Sequence, residues 1–242
     1  MILAAGLGTR LRPLTDVRPK ALVEVAGRTL LEITLTRLRS FGITEVIVNA
    51  HHFAGMILNY LKANNDFGMR IEVSREDVLL DTGGGLKKAA WFFLEGPEKD
   101  EPFILHNVDV ISSIDLRRMT QFHREHEALA TLAVQQRKTS RDLVFDAQLQ
   151  LCDHRAAAME KAGAASAKQQ ALSFCGIHVI SPRLFSVMAE DGVFSIITTY
   201  LNLAALGEKI LAFRADEYSW RDVGKLESLN EAAREMKLSA GS

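Results

Sequence analysis

The chain has 242 residues, 48% of them hydrophobic, which is enough to bury one substantial core and makes a single domain the expectation. Its 29 basic and 30 acidic residues nearly cancel, which argues against a nucleic-acid or anionic-membrane partner. Two cysteines, Cys152 and Cys175, lack metal-ligand spacing and are too few for a disulfide framework, so a reducing cytoplasm is expected. No apolar run reaches the roughly 18 residues that cross a bilayer, and no signal peptide is apparent.

In chain order, the apolar start predicts a strand over 2–5, which breaks into the glycine turn Gly6-Leu7-Gly8. Strands follow over 44–49, 69–74 and 102–107, with helices over 28–41, 53–64, 84–95 and 115–126. Alternation of this kind implies an α/β fold with a mostly parallel sheet and helices on both faces. Ligands in such sheets sit at the carboxyl ends of the strands, so Gly6 and Asp109 can converge across a hundred residues. The second half predicts strands over 129–135, 143–151, 174–180 and 210–214, and helices over 182–189, 195–207 and from 224. The small-residue stretch Ala156–Ala171 reads as a loop or a hairpin tip, and Ser239–Ser242 as a frayed tail. No linker or internal repeat marks a second folding unit, and the hexapeptide repeats of an appended β-helix are absent.

The segment after the first strand carries the chemistry. Glycines let backbone N–H groups approach an anion closely, and Arg10, Arg12 and Lys20 supply positive charge. The dinucleotide fingerprint needs a third glycine where Leu11 stands, and the P-loop's Gly-Lys-Ser/Thr is missing. What remains is a polyphosphate cradle. Arg10 suits a bidentate grip on phosphate oxygens, whereas Lys20 acts as a point charge. Arg12 and Arg18 read as solvated loop cations.

Other features read as structural. His51-His52 and the pair His123 and His126 lack the further ligands of a zinc site. Cys175 fits a small buried residue. Trp91, Phe92 and Phe93 fit a core-facing helix segment, and Asp115 a helix cap. Taken alone, Asp222 reads equally as a helix cap or a metal ligand, Asp81-Thr82-Gly83-Gly84-Gly85 as a flexible loop entering a helix or a ligand loop, and Glu160-Lys161 as a surface dipeptide.

Gly6-Leu7-Gly8-Thr9-Arg10 with Pro19-Lys20, then Asp81-Thr82-Gly83-Gly84-Gly85, Asn107-Val108-Asp109, Glu160-Lys161, Phe174-Cys175-Gly176-Ile177 and Trp220-Arg221-Asp222-Val223-Gly224 follow one another over nearly the whole chain. Together they resemble the motifs of the sugar-1-phosphate nucleotidylyltransferases, or NDP-sugar pyrophosphorylases. The resemblance is nearest to the short N-acetylmuramate-1-phosphate uridylyltransferases. It implies a single-domain, Rossmann-like three-layer sandwich of the GT-A-like nucleotidyltransferase kind. Residues 1–110 would form a nucleotide-binding half and 111–238 a sugar-phosphate-binding half. The family usually carries a few residues more before the first strand, which implies a trimmed start.

The implied reaction is Mg²⁺-dependent transfer of a nucleotidyl group, with UTP and N-acetylmuramate 1-phosphate as best match, for cell-wall nucleotide-sugar synthesis in the cytoplasm. Its partners are the nucleoside triphosphate and the sugar 1-phosphate, with no nucleic acid, membrane or protein partner implied. By the same resemblance, Arg10, Lys20 and Asp109 are catalytic and Asp109 and Asp222 hold the metal. Ala5, Gly6, Gly8, Thr9, Arg10, Asp81, Thr82 and Gly83 bind the nucleotide. Asn107, Glu160, Lys161 and Gly176 bind the sugar phosphate. Base discrimination through backbone groups leaves little trace in sequence. GTP with mannose or heptose 1-phosphate, CTP with phosphocholine, and a catalytically silent nucleotide-sugar-binding subunit therefore remain alternatives.

Overall fold

A computed structural model of the chain describes residues 1–95, 100–137, 142–154 and 169–240. Contacts gather these into two compact units, each discontinuous in sequence: Met1–Asp81 with His106–Ser113 and Trp220–Ser242, and Thr82–Leu105 with Ile114–Ser219. The first unit recruits the last strand and helix of the chain.

In the first unit, the strand Ile2–Leu3 lies between Glu45–Ala50 and the end of Phe103–Asn107, and Arg70–Arg75 flanks Glu45–Ala50. All these pairings are parallel, with Leu3 opposite Asn49 on one side and Asn107 on the other. Ile2, Val46, Ile47 and Val48 are fully or almost fully buried, as expected of a parallel strand covered on both faces. The helix Leu30–Ser40 begins where the Thr29 hydroxyl accepts the Glu32 N–H at 3.1 Å. Its Leu31, Leu35 and Leu38, spaced for one face, are buried. A short antiparallel ribbon pairs Val110–Ser112 with Trp220–Asp222, placing Asp222 opposite Val110. The helix Leu226–Ala240 follows.

The second unit has a mixed sheet in the order Leu151–His154, Asp142–Phe145, Gln170–Ile180, Ala130–Gln135, Ile210–Arg214. Only the last pairing is parallel. The strand predicted over 143–151 is in fact two strands. Asp146 Oδ1 accepts the N–H groups of Gln148 and Gln150, each at 2.9 Å, and this local turn breaks the extended run. The helix predicted over 84–95 is likewise divided, into Asp81–Lys88 and Trp91–Leu94. Trp91, expected to face the core, is 43% exposed. Phe93 is half-buried, stacked on the half-buried Phe103 with ring centroids 3.8 Å apart. Among the described residues, no helix is long and apolar enough to cross a membrane.

Candidate active site

The predicted phosphate loop leaves the first strand at Ala4 and turns at Gly8, whose φ of 64° is a left-handed conformation that suits glycine. A Cβ there would lie 2.8 Å from Thr15 Cγ2 and 3.1 Å from Lys20 Cβ. Gly8 is therefore what lets the Lys20 stem pack directly beneath the loop. The Gly8 carbonyl accepts from Leu11 N–H and from the Thr15 hydroxyl, each at 2.8 Å, so the turn is closed by its own chain. Gly6 is exposed, and a Cβ built on it would meet nothing within 4 Å. Ala5 is buried, while Thr9 and Arg10 are exposed. Arg12 and Arg18 form the surface ion pairs Arg12–Asp16 and Arg18–Glu24.

Four charged side chains of this unit meet at the strand ends. Lys20 Nζ donates to Asp109 Oδ2, a pairing across 89 residues in which both side chains are mostly shielded, at 13% and 15% exposure. The ribbon brings Asp222 alongside, with Val223 N–H donating to the Asp109 carbonyl at 2.9 Å. Asp222 Oδ1 accepts the Gly224 N–H at 2.7 Å, so it closes a local turn and does not cap the helix that starts at Leu226. A Cβ built on Gly224 would lie 2.8 Å from Asp222 Oδ1, 2.9 Å from Arg10 Nη2 and 2.9 Å from Asp109 Oδ2. Two carboxylate oxygens and a guanidinium thus surround a single point that any other residue would fill. In the sequence Gly224 is marked only by its place in the Trp220–Gly224 motif, because the three side chains around it come from distant parts of the chain.

The donor set is informative about chemistry. Two carboxylates at one point suit a hard, oxygen-preferring cation that keeps waters and takes further oxygens from phosphate. Among the described residues, no group of three or more His, Cys, Asp or Glu gathers as a more complete metal cage would require. His123 Nδ1 instead meets the Thr131 hydroxyl at 3.0 Å, and His126 Nδ1 meets the Phe122 carbonyl at 2.9 Å. Asn107 sits at the end of its strand, two residues before Asp109.

Asp81 stands at the edge of the first unit with φ 59°. Thr82 and Gly83 belong to the second. The glycine run was expected to precede a helix; it forms the first turns of one. The Gly83 and Gly84 N–H groups, which a helix start leaves without internal partners, donate to the Phe194 carbonyl at 2.9 and 3.3 Å. Thr82 Oγ1 accepts the Ile196 N–H at 3.0 Å. A Cβ on Gly83 would lie 2.3 Å from the Phe194 ring, so the glycine admits that ring. Gly176, buried with φ 74°, marks the register shift of its strand between Phe174 and His178. Glu160 and Lys161 lie outside the described residues. Cys175 is buried, and burial pushes its thiol up to about 12, which suits packing better than nucleophilic attack.

Comparison with known proteins decides the family. The nucleotidyl transferase family matches residues 1–144, more than half of the chain. The chain belongs to that family. It is 34% identical to the N-acetylmuramate alpha-1-phosphate uridylyltransferase of Caulobacter vibrioides, over 93% of this chain and 90% of that one. Mannose-1-phosphate guanylyltransferase 1 of Arabidopsis thaliana is 37% identical over 55% of this chain, which spans 37% of that longer protein. A UDP-glucose pyrophosphorylase solved with UDP-glucose superposes with a TM-score of 0.79 at 15% identity, covering 98% of this chain and 97% of that one. The fold is therefore the expected GT-A-like nucleotidyltransferase fold, with a mixed, mostly parallel sheet. The nucleotidyl transferase is an enzyme of the sugar-1-phosphate class.

Proposed function

We propose that this nucleotidyl transferase is a cytoplasmic, Mg²⁺-dependent uridylyltransferase that joins UTP to N-acetylmuramate 1-phosphate and releases pyrophosphate. The observation that carries this reading is the meeting of Arg10, Asp109 and Asp222 around Gly224, with Lys20 paired to Asp109. The choice of UTP and of the amino-sugar phosphate is supported by the relative from Caulobacter vibrioides, matched over nearly the full length of both chains.

In the reaction, a phosphate oxygen of the sugar 1-phosphate attacks the α-phosphorus of UTP. A new P–O bond forms, the bond to the bridging oxygen breaks, and pyrophosphate leaves with that electron pair. Both reactants are anions, so the protein's first task is to cancel their repulsion and align them. The open backbone at Gly6 receives the β- and γ-phosphates, with Arg10 gripping their oxygens. Lys20, carried beneath the loop on its packed stem, moves from Asp109 to the α-phosphate and stabilises the charge that develops there. Asp109 and Asp222 would hold Mg²⁺, which when bound neutralises the triphosphate and positions its oxygens. Asn107 and Gly176, with Glu160 and Lys161, are assigned to the sugar phosphate, and Asp81, Thr82 and Gly83 to the nucleotide.

The test is a panel of four nucleoside triphosphates against N-acetylmuramate, glucose and mannose 1-phosphates, read as pyrophosphate release. Preference for UTP with N-acetylmuramate 1-phosphate is expected. Preference for GTP with mannose 1-phosphate is the second reading, favoured by the guanylyltransferase matched over 55% of this chain. Turnover that survives Asp109→Ala would sink the metal assignment.

A further inference from the structure

A buried polar chain crosses the strand ends of the first unit. Ala4 N–H donates to Asn49 Oδ1 at 2.7 Å, Asn49 Nδ2 donates to Glu76 Oε1 at 2.7 Å, and Glu76 Oε2 accepts the Leu80 N–H at 3.0 Å. Asn49 is 2% exposed and Glu76 4%. The Glu76 backbone is held as well: its N–H donates to the Ala50 carbonyl at 2.8 Å, and its carbonyl meets His51 Nδ1 at 2.8 Å. The direction of every bond is forced. Ala4 and Leu80 present N–H groups that only donate, so Asn49 must turn its oxygen to Ala4 and its amide nitrogen to Glu76, and both Glu76 oxygens must accept.

Burying a carboxylate is costly, and an apolar pair of similar volume would usually pack as well or better. Such a pair would leave the Ala4 and Leu80 N–H groups without these partners. The position of the two donors is what gives the arrangement a purpose. Ala4 is the last residue before the phosphate loop, and Leu80 precedes Asp81, where the chain enters the glycine helix.

We propose that Asn49 and Glu76 form a positioning strut that fixes Ala4–Gly6 against Leu80–Asp81 and so holds the nucleotide between the two segments. The strut rests on the reading of Ala5, Gly6 and Asp81 as nucleotide-binding. Both side chains are buried and engaged by the protein, so they act through the backbone and not on the substrate.

The chemistry of the pair supplies its own test. In Glu76→Gln, one of two N–H donors faces an amide nitrogen instead of an oxygen. In Asn49→Asp, two acceptors oppose each other. In the double variant Asn49→Asp/Glu76→Gln, the new carboxylate accepts from Ala4 and from the new amide, whose oxygen accepts from Leu80, so every bond is restored with the order of acid and amide reversed. Each single variant is expected to weaken UTP binding, read by calorimetry and by KM, by about 10-fold, the size of one spoiled buried hydrogen bond. The KM for N-acetylmuramate 1-phosphate should stay within about twofold and the double variant should recover UTP affinity, as the coupling of a contacting pair requires. Unchanged UTP affinity in the folded single variants overturns the strut. So does equal loss toward both substrates, which marks a merely structural role, or a double variant no better than the worse single. Calorimetry needs no turnover, so a wild type that binds UTP without transferring it overturns the proposed reaction and not the strut. A wild type that binds no nucleoside triphosphate overturns both.

Discussion

The two compact units put their polar side chains to different uses. In the second unit, polar groups close on one another inside the core. His123 meets Thr131 and His178 meets Tyr200, each at 3.0 Å, Ser173 donates to Asp142 at 2.7 Å, and Gln135 donates to the Ala215 carbonyl at 2.7 Å. Each pair ties one element to another and satisfies a group that burial would otherwise penalise. In the first unit, Arg10, Lys20, Asp109 and Asp222 gather at strand ends, where the Lys20–Asp109 pair and the Asp222 turn leave Arg10 and the carboxylates facing one point beside Gly224. A shielded ion pair such as Lys20–Asp109 contributes little net stability once desolvation is counted. Its presence is better explained by chemistry. Removing the exposed Arg10 should therefore cost activity, and breaking one of the buried polar pairs of the second unit should cost stability.

The largest effect expected on this basis is at Arg10. The side chain is exposed, so Arg10→Ala should leave the melting temperature nearly unchanged while lowering kcat/KM by about 1000-fold, as for loss of a charge-stabilising donor. Parallel thermal melts and steady-state kinetics check it, and a loss of stability matching the loss of activity would break the contrast. Gly224→Ala comes next. Its Cβ would press on the tips of three side chains and not on the backbone of another element, so the fold should survive. Displacing Asp222, Arg10 and Asp109 together should lower kcat by about 100-fold, the scale of a misplacement near 1 Å. Wild-type kcat in this variant would show that the convergence around Gly224 is incidental.

The same contrast governs how much was legible in the sequence. The strands Glu45–Ala50, Arg70–Arg75 and Ile210–Arg214 lie within a residue of their predicted places, because a buried apolar run in the first and last and apolar–polar alternation in the second are strong signals. That Gly6 and Asp109 both follow strand ends was readable from the same alternation. The ribbon joining Val110–Ser112 to Trp220–Asp222 was not, since three-residue strands carry no periodicity, yet this ribbon sets Asp222 beside Asp109. The glycine run misled in the opposite direction. Glycine disfavours helix by about 1 kcal/mol per residue, and only a tertiary contact, the Phe194 ring and carbonyl, overrides that preference. Asn49 and Glu76 are single polar residues near strand ends, indistinguishable in sequence from surface positions. Their partners lie 45, 27 and 4 residues away, and only the fold brings them together.

Gly83→Ala tests the structural side of the contrast directly. The added methyl would meet the Phe194 ring at 2.3 Å and the Ile196 nitrogen at 3.0 Å, and the latter is backbone that cannot simply swing aside. A destabilisation of about 2 kcal/mol is expected from overpacking, read as a lower denaturant midpoint. Combining it with Phe194→Ala should recover part of that loss, because the ring is the nearer obstacle. No recovery would place the cost in the Ile196 backbone.

The smallest effect concerns His123, and it separates the units by pH. Burial, reinforced by Arg124, lowers the His123 pKa from 6.5 to about 4. The folded state thus binds the proton more weakly than the unfolded chain. Its contribution to stability is present above the unfolded value and is lost as pH falls from about 6.5 toward 4. Between pH 7 and 5.5 the loss assignable to His123 is about 1 kcal/mol. His123→Gln can keep a hydrogen bond to Thr131 without titrating, so the stability of this variant should fall less steeply than that of the wild type across the same interval. Denaturant melts at the two pH values measure the difference. Parallel curves would mean that the His123 ring reaches solvent and takes up its proton in the folded state, which its 3% exposure argues against.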